Sequence, residues 1–215
     1  MIKAILFDLD GTLLNTLTDL TTSVNYALRK HGFAERATQE VRAFLGNGIR
    51  NLISKCVPEG TLSDDFETVF QTFKTHYVEH CLDVTAPYEG ILPLLDELKA
   101  RGIKMGMVSN KLDPAVQDLN ARFFADYLSV ALGESKTIRR KPHPDGVNEA
   151  MKRIGVLPKE TLYVGDSEVD FQTARTAGMS CALVLWGFRD ENDLRKLGAE
   201  IYLKTPEQLL AYLTN

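Results

Sequence analysis

From Tyr88 onward the chain alternates between short apolar runs and amphipathic stretches, and this rhythm most narrowly limits what it can fold into. The periodicity predicts helix over 91–100, strand over 103–108, helix over 114–123 and strand over 128–132. Helix 144–154, strand 161–164, helix 171–177 and strand 180–185 continue the series. A helix at 191–197, an edge strand at 201–203 and a helix at 206–213 close it. Repeated alternation of this kind builds an α/β fold around a doubly wound parallel sheet. One more strand, 3–7, stands apart from the series at the start of the chain. Over residues 15–82 the pattern is helical throughout. Leu17, Leu20, Val24 and Leu28 mark one face, Ile49, Leu52, Ile53 and Cys56 a second, and Phe66, Val69, Phe70, Phe73 and Tyr77 a third. The expected organisation is a core of residues 1–14 and 84–215, with an all-helical domain, 15–83, inserted after the first strand.

Composition narrows the function classes. A chain of 215 residues with 44% hydrophobic and 25% charged residues is an ordinary globular protein able to bury a core. A net charge of −4 gives no electrostatic reason to expect nucleic acid, and no basic run marks a membrane surface. Cys56, Cys81 and Cys181 lie far apart without metal-like spacing, and read as small buried residues in a reducing compartment. The chain starts directly on a strand and holds no apolar stretch of transmembrane length, so a cytoplasmic protein is expected. Oligomeric state, monomer or homodimer, is not legible.

The polar clusters fall where strands end, which is where open parallel sheets bind ligands. The first strand ends in Asp8-Leu9-Asp10-Gly11-Thr12. Side chains two apart on a strand share a side, so Asp8 and Asp10 could face one site. Two anions so close call for a proton or a cation between them, and a hard divalent ion such as Mg²⁺ suits oxygen donors. Gly11 lets backbone amides approach an anion and Thr12 offers a hydroxyl, although Asp-Gly is also an ordinary turn. Ser109-Asn110 ends the next strand with two groups able to bind a phosphate oxygen, or simply to cap a helix. Lys141, in Lys141-Pro142-His143-Pro144, brings positive charge on a stiffened backbone, though most lysines are solvated surface residues. Asp166 and Asp170, in Gly165-Asp166-Ser167-Glu168-Val169-Asp170, could share one face at a helix start. They suit a metal or merely the helix dipole.

Taken together, Asp8-Leu9-Asp10-Gly11-Thr12, Ser109-Asn110, Lys141-Pro142-His143-Pro144 and Gly165-Asp166-Ser167-Glu168-Val169-Asp170 resemble, in order, the four motifs of the haloacid dehalogenase-like phosphatases. The resemblance spans essentially the whole chain. It implies a core with a helical cap inserted between motifs one and two. It further implies that Asp8 attacks phosphorus to form an aspartyl-phosphate and that Asp10 is the acid/base. Gly11, Thr12, Ser109, Asn110 and Lys141 would bind the phosphoryl group. Mg²⁺ would be held by Asp8, Asp166 and the Asp10 carbonyl, with Asp170 in support. His143 is assigned no role. The presence of Asp10 separates the chain from dehalogenases and phosphonatases, and no His soon after motif one marks it as a sugar-phosphate mutase.

Phe44-Leu45-Gly46-Asn47-Gly48 is similar to the cap segment of phosphoglycolate phosphatases, with Asn47 a candidate substrate contact; it also reads as a plain helix-breaking turn. Where many relatives have Asp-Ser, this chain has Asn15-Thr16, which resembles the inorganic pyrophosphatase branch. A phosphatase acting on a small phosphorylated metabolite such as 2-phosphoglycolate is the leading expectation. Pyrophosphate or a sugar phosphate, as substrate of a phosphatase or mutase, comes next. A non-catalytic binding module is the contrasting class, against which the presence of Asp8, Asp10, Lys141 and Asp166 counts.

Overall fold

The structure is a computed structural model in which residues 1–214 are described. It divides into two compact units, Met1–Leu14 with Pro87 onward, and Asn15–Ala86.

The first unit is built on strand β1 (Ala4–Phe7), whose four residues are all buried. A run that is apolar on both faces is what the middle of a parallel sheet requires. Leu14–Asn15 forms a two-residue strand, β2, where the chain leaves this unit, and Ala86–Pro87 forms β3 where it returns. Helix α5 (Ile91–Ala100) then leads to β4 (Lys104–Leu112), α6 (Asp113–Phe123) and β5 (Val130–Glu134). Next come α7 (Asp145–Ile154), β6 (Thr161–Gly165), α8 (Glu168–Thr176) and β7 (Ser180–Val184). Helix α9 (Glu191–Arg195), β8 (Ile201–Leu203) and α10 (Pro206–Thr214) finish the chain.

The main sheet has the order β5-β4-β1-β6-β7-β8, and every paired neighbour is parallel. Strand β1 is the switch point. The chain builds outward through β4 and β5 on one side, then crosses to β6, β7 and β8 on the other. Crevices at such reversals, outside the strand carboxyl ends, are where α/β sheets bind ligands. The register sets the level of that edge, because Phe7 pairs with Met107 on one side and Val164 on the other. Asp8 therefore emerges at the carboxyl end of β6 and beside the stretch of β4 that carries Val108 and Ser109.

One boundary departs clearly from expectation. Strand β4 does not stop before Ser109-Asn110 but runs through them to Leu112, with a register shift between Val108 and Leu112 where it pairs with β5. A polar run reads as a loop by composition. Here the ladder absorbs it by a local irregularity, and the Ser109 hydroxyl accepts the Lys111 amide at 3.1 Å.

In the second unit, α1 (Leu17–Lys30), α2 (Thr38–Phe44), α3 (Gly48–Cys56) and α4 (Ser63–His80) bury the three apolar faces seen in the sequence. The unit extends to Ala86 rather than 83, and its own chemistry explains why. Asp19 of α1 is buried, and its carboxylate accepts the Val84 and Thr85 amides at 3.2 and 2.9 Å and the Thr85 hydroxyl at 2.8 Å. Those bonds draw residues 84–86 onto the helices. Strands β2 and β3, which carry the chain out of and back into the first unit, pair with each other. Among the described residues no helix is long and apolar enough to cross a membrane.

Candidate active site

Lys141 is the centre of the polar cluster at the carboxyl edge of the main sheet. The residue is only 4% exposed, and its ammonium donates to Asp8 Oδ1 at 2.6 Å, Asp170 Oδ1 at 2.7 Å and the Tyr163 hydroxyl at 3.0 Å. Three bonds satisfy its three donors, which is what allows a buried ammonium to persist. Its loop is fixed from β4, since Asn110 accepts the Lys141 amide at 2.6 Å and donates to the Lys141 carbonyl at 3.0 Å. Asn110, expected to touch phosphate, is thus seen holding the lysine loop through both ends of its amide.

Asp170 is completely buried and ties the start of α8 to this lysine. Its second oxygen accepts the amides of Asp166 and Ser167 at 3.2 and 3.1 Å and the Ser167 hydroxyl at 2.6 Å. Asp8, Asp166 and Asp170 each place a carboxylate oxygen within 4.8 Å of the other two. Asp8 Oδ1 is taken by Lys141 and Asp166 Oδ2 by the Phe188 amide at 2.6 Å, which leaves one oxygen of each to meet a cation. An all-oxygen donor set of this charge fits Mg²⁺.

Three carboxylates against one ammonium make the cluster electrostatically unbalanced. Burial, with the like charges of Asp170 and Asp166, pushes the Asp8 carboxyl well above its ordinary range despite the opposing pull of Lys141. Burial and Asp170 raise Asp166 from 3.8 to about 7. Burial works against the charge of Lys141, but Asp170 and Asp8 overcome it and hold the ammonium well above its usual range. Burial likewise raises the Tyr163 phenol.

This imbalance has a measurable consequence. With Asp166 raised, the folded metal-free chain keeps a proton, between 3.8 and about 7, that the unfolded chain has released. Its stability therefore falls as pH rises through that window. In a chelator, thermal unfolding should occur at lower temperature at about pH 8 than at about pH 5.5, and Asp166→Asn should shrink the difference, with the raised Asp8 carboxyl supplying what is left. Mg²⁺ should restore more stability at the higher pH. Equal pH profiles for the wild type and Asp166→Asn would refute the assignment.

Asp10 stands apart from the three clustered carboxylates. Both its oxygens face the ammonium of Lys111, at 3.2 and 3.4 Å, and that lysine is itself buried. The turn that follows uses the Gly11 and Thr12 amides internally, with Gly11 N–H donating to the Leu14 carbonyl at 2.9 Å and Thr12 N–H to Leu9 at 3.3 Å. Among the described residues the Leu9 and Asp10 amides have no partner, so these two, rather than Gly11, are the amides able to cradle an oxyanion. Gly11 has φ +91°, and a Cβ there would stand 2.8 Å from the Asp166 carboxyl carbon, so only glycine fits. Thr12 is wholly buried and its hydroxyl has no partner; the structure uses its carbonyl, which accepts the Trp186 indole N–H at 3.1 Å. Asn47 belongs to the helical unit, where it precedes the first turn of α3.

Tyr163, Lys111 and the Phe188 amide were not singled out by sequence. Two of the three left a trace. Lys111 shares a strand side with Ser109 by the same two-residue rule that pairs Asp8 with Asp10. A tyrosine inside a buried strand must find a partner for its hydroxyl. A backbone amide leaves no trace at all.

Residues 5–184 match the family model described as haloacid dehalogenase-like hydrolase. The chain is 33% identical over 188 residues to a phosphoglycolate phosphatase of Aquifex aeolicus, covering 86% of each chain. It is 30% identical over 217 residues to an N-acetylmuramic acid 6-phosphate phosphatase of Pseudomonas aeruginosa, covering 99% of this chain and 95% of that one. Among solved structures, that of a candidate phosphoglycolate phosphatase from Lactobacillus delbrueckii superposes with a TM-score of 0.92 at 36% identity, covering 96% of both chains.

Proposed function

Because this chain belongs to the haloacid dehalogenase-like hydrolases and is a phosphoric monoester hydrolase of that family, we propose that it hydrolyses a small phosphomonoester resembling 2-phosphoglycolate, in the cytoplasm, through an aspartyl-phosphate on Asp8. The observation that carries the reading is the placement of Asp8. It sits at the switch point of the sheet, held at one oxygen by a buried lysine, its carboxyl raised first by burial and then by the carboxylates of Asp170 and Asp166.

Asp8, Asp166 and the Asp10 carbonyl would hold Mg²⁺, which supplies positive charge to the phosphoryl oxygens and offsets repulsion among the carboxylates. The Asp8 carboxylate oxygen forms the new bond to phosphorus as the ester P–O bond breaks. Asp10 gives its proton to the departing oxygen. It then takes a proton from the water that displaces Asp8 and releases phosphate. Lys111 holds the Asp10 carboxylate from the β4 side. Lys141, the Leu9 and Asp10 amides and Ser109 meet the charge on the equatorial oxygens, and positioning of this kind does most of the work in phosphoryl transfer. Asn47 is proposed as a contact to the leaving group. Asn15 favours a second reading, pyrophosphate as substrate, because it resembles the residue used in that branch.

Phosphate release from 2-phosphoglycolate, pyrophosphate, N-acetylmuramic acid 6-phosphate and an aryl phosphate, with and without Mg²⁺, separates these readings. Mg²⁺-dependent release with highest kcat/KM on 2-phosphoglycolate is expected. Preference for pyrophosphate would install the second reading. No release from any of the four by folded protein would overturn both.

A further inference from the structure

The loop after β7, Trp186-Gly187-Phe188-Arg189, belongs to none of the four motif segments, yet it touches two of them. Its first residue, Trp186, donates its indole N–H to the Thr12 carbonyl, in the turn that follows Asp8 and Asp10. Gly187 passes so close to that turn that a Cβ would stand 2.6 Å from the Gly11 carbonyl and 2.6 Å from Asp166 Oδ2. No side chain could occupy this position without moving one or the other. Phe188, 5% exposed, donates its amide to Asp166 Oδ2 at 2.6 Å, and a Cβ on Gly11 would meet its ring at 2.9 Å. Arg189 closes the loop onto α8. Its Nε donates to Glu168 Oε2 at 2.7 Å and a terminal nitrogen to Oε1 at 3.1 Å, a two-point grip on the second residue after Asp166.

We infer that Trp186–Arg189 is a strap that fixes which oxygen of Asp166 is presented to the cation, and that Arg189 is the positioning residue holding the strap in place. An aspartate carboxylate turns readily about its last bond. A short bond to Oδ2 stops that rotation and leaves Oδ1 as the oxygen open to a cation. The donor is a backbone amide, so its direction depends on how the loop is anchored, and the anchor on the α8 side is the Arg189–Glu168 fork. A paired guanidinium suits this task because its planar fork matches a carboxylate at two points. Partners that orient a ligand from behind commonly set metal affinity without touching the metal.

The inference rests on the Mg²⁺ site proposed above and is tested by binding rather than turnover. Mg²⁺ is titrated calorimetrically into the chelator-treated full chain, and metal-free unfolding is followed in parallel. Arg189→Gln and Glu168→Gln should each weaken Mg²⁺ binding about tenfold. The double variant should be no weaker than either single one, because both break the same fork. Arg189→Lys should recover part of the loss. Unchanged Mg²⁺ affinity in Arg189→Gln and Glu168→Gln, with only a lowered metal-free unfolding temperature, would overturn the strap and leave a merely structural ion pair. The Glu168 side chain is 46% exposed, so Glu168→Gln carries the test if Arg189→Gln does not fold. Absence of Mg²⁺ binding by the wild type would instead remove the metal assignment itself, and the strap with it.

Discussion

Lys141→Met should lose both catalysis and a large part of the stability of the core. The substitution deletes an ammonium bonded to Asp8, Asp170 and Tyr163, all buried, and leaves a thioether facing two carboxylates. Breaking one side of a buried ion pair costs about 3–5 kcal/mol, because the remaining charge stays desolvated without its partner. The carboxylates can relieve this by binding protons, so the variant should be most destabilised at alkaline pH and partly recover as pH falls. Catalysis should drop by about 10²–10³-fold at saturating Mg²⁺, the usual effect of removing one preorganised donor to a charged transition state. Urea unfolding at two pH values, alongside phosphate release, gives both quantities. Wild-type stability at alkaline pH would mean that the lysine is not the balancing charge of this cluster.

Asp8→Asn is expected to abolish turnover altogether, by about 10⁴-fold or more, since an amide cannot form the phosphoryl-enzyme. The fold should survive. Lys141 keeps Asp170 and Tyr163 as partners, and a carboxyl that burial already pushes toward its neutral form is replaced by a neutral group. The metal-free variant should also respond less to Mg²⁺ in thermal unfolding than the wild type, as one carboxylate of the cluster is gone. Phosphate release by Asp8→Asn within tenfold of the wild type would exclude Asp8 as the nucleophile.

How far these residues were legible follows from what each depends on. The sheet, its order of elements and the helical insert were readable because hydrophobic period reports burial directly, as in the unbroken run of β1. Asp8, Lys141, Asp166 and Asp170 were readable as motif residues; the parallel register brings the ends of β1 and β6, which Asp8 and Asp166 follow, to one edge, and Lys141 bonds Asp8 and Asp170 there. Partner choice was not readable. Asn110 looked like a phosphate donor, and its amide is seen bracing the Lys141 loop. Thr12 looked like a hydroxyl on offer but is packed inside its own turn. The return boundary moved to Ala86 because one carboxylate, Asp19, captures two amides from the far end of its unit. The Asn110 and Asp19 bonds join residues remote in sequence, which local composition does not encode.

The pairing of β2 with β3 changes what the insertion means for the assembly of the sheet. Strand β1 must find β4 across the whole of Asn15–Ala86, a long loop to close if those residues were a random coil. Because the two ends of the insert are paired side by side, a folded insert hands the chain back where it left, and the central ladder then forms across the single helical crossover through α5. The two ends of the helical unit thus meet as the ends of a hairpin turn do. Its size and surface can therefore be exchanged in the course of descent without re-routing the strands that carry the chemistry.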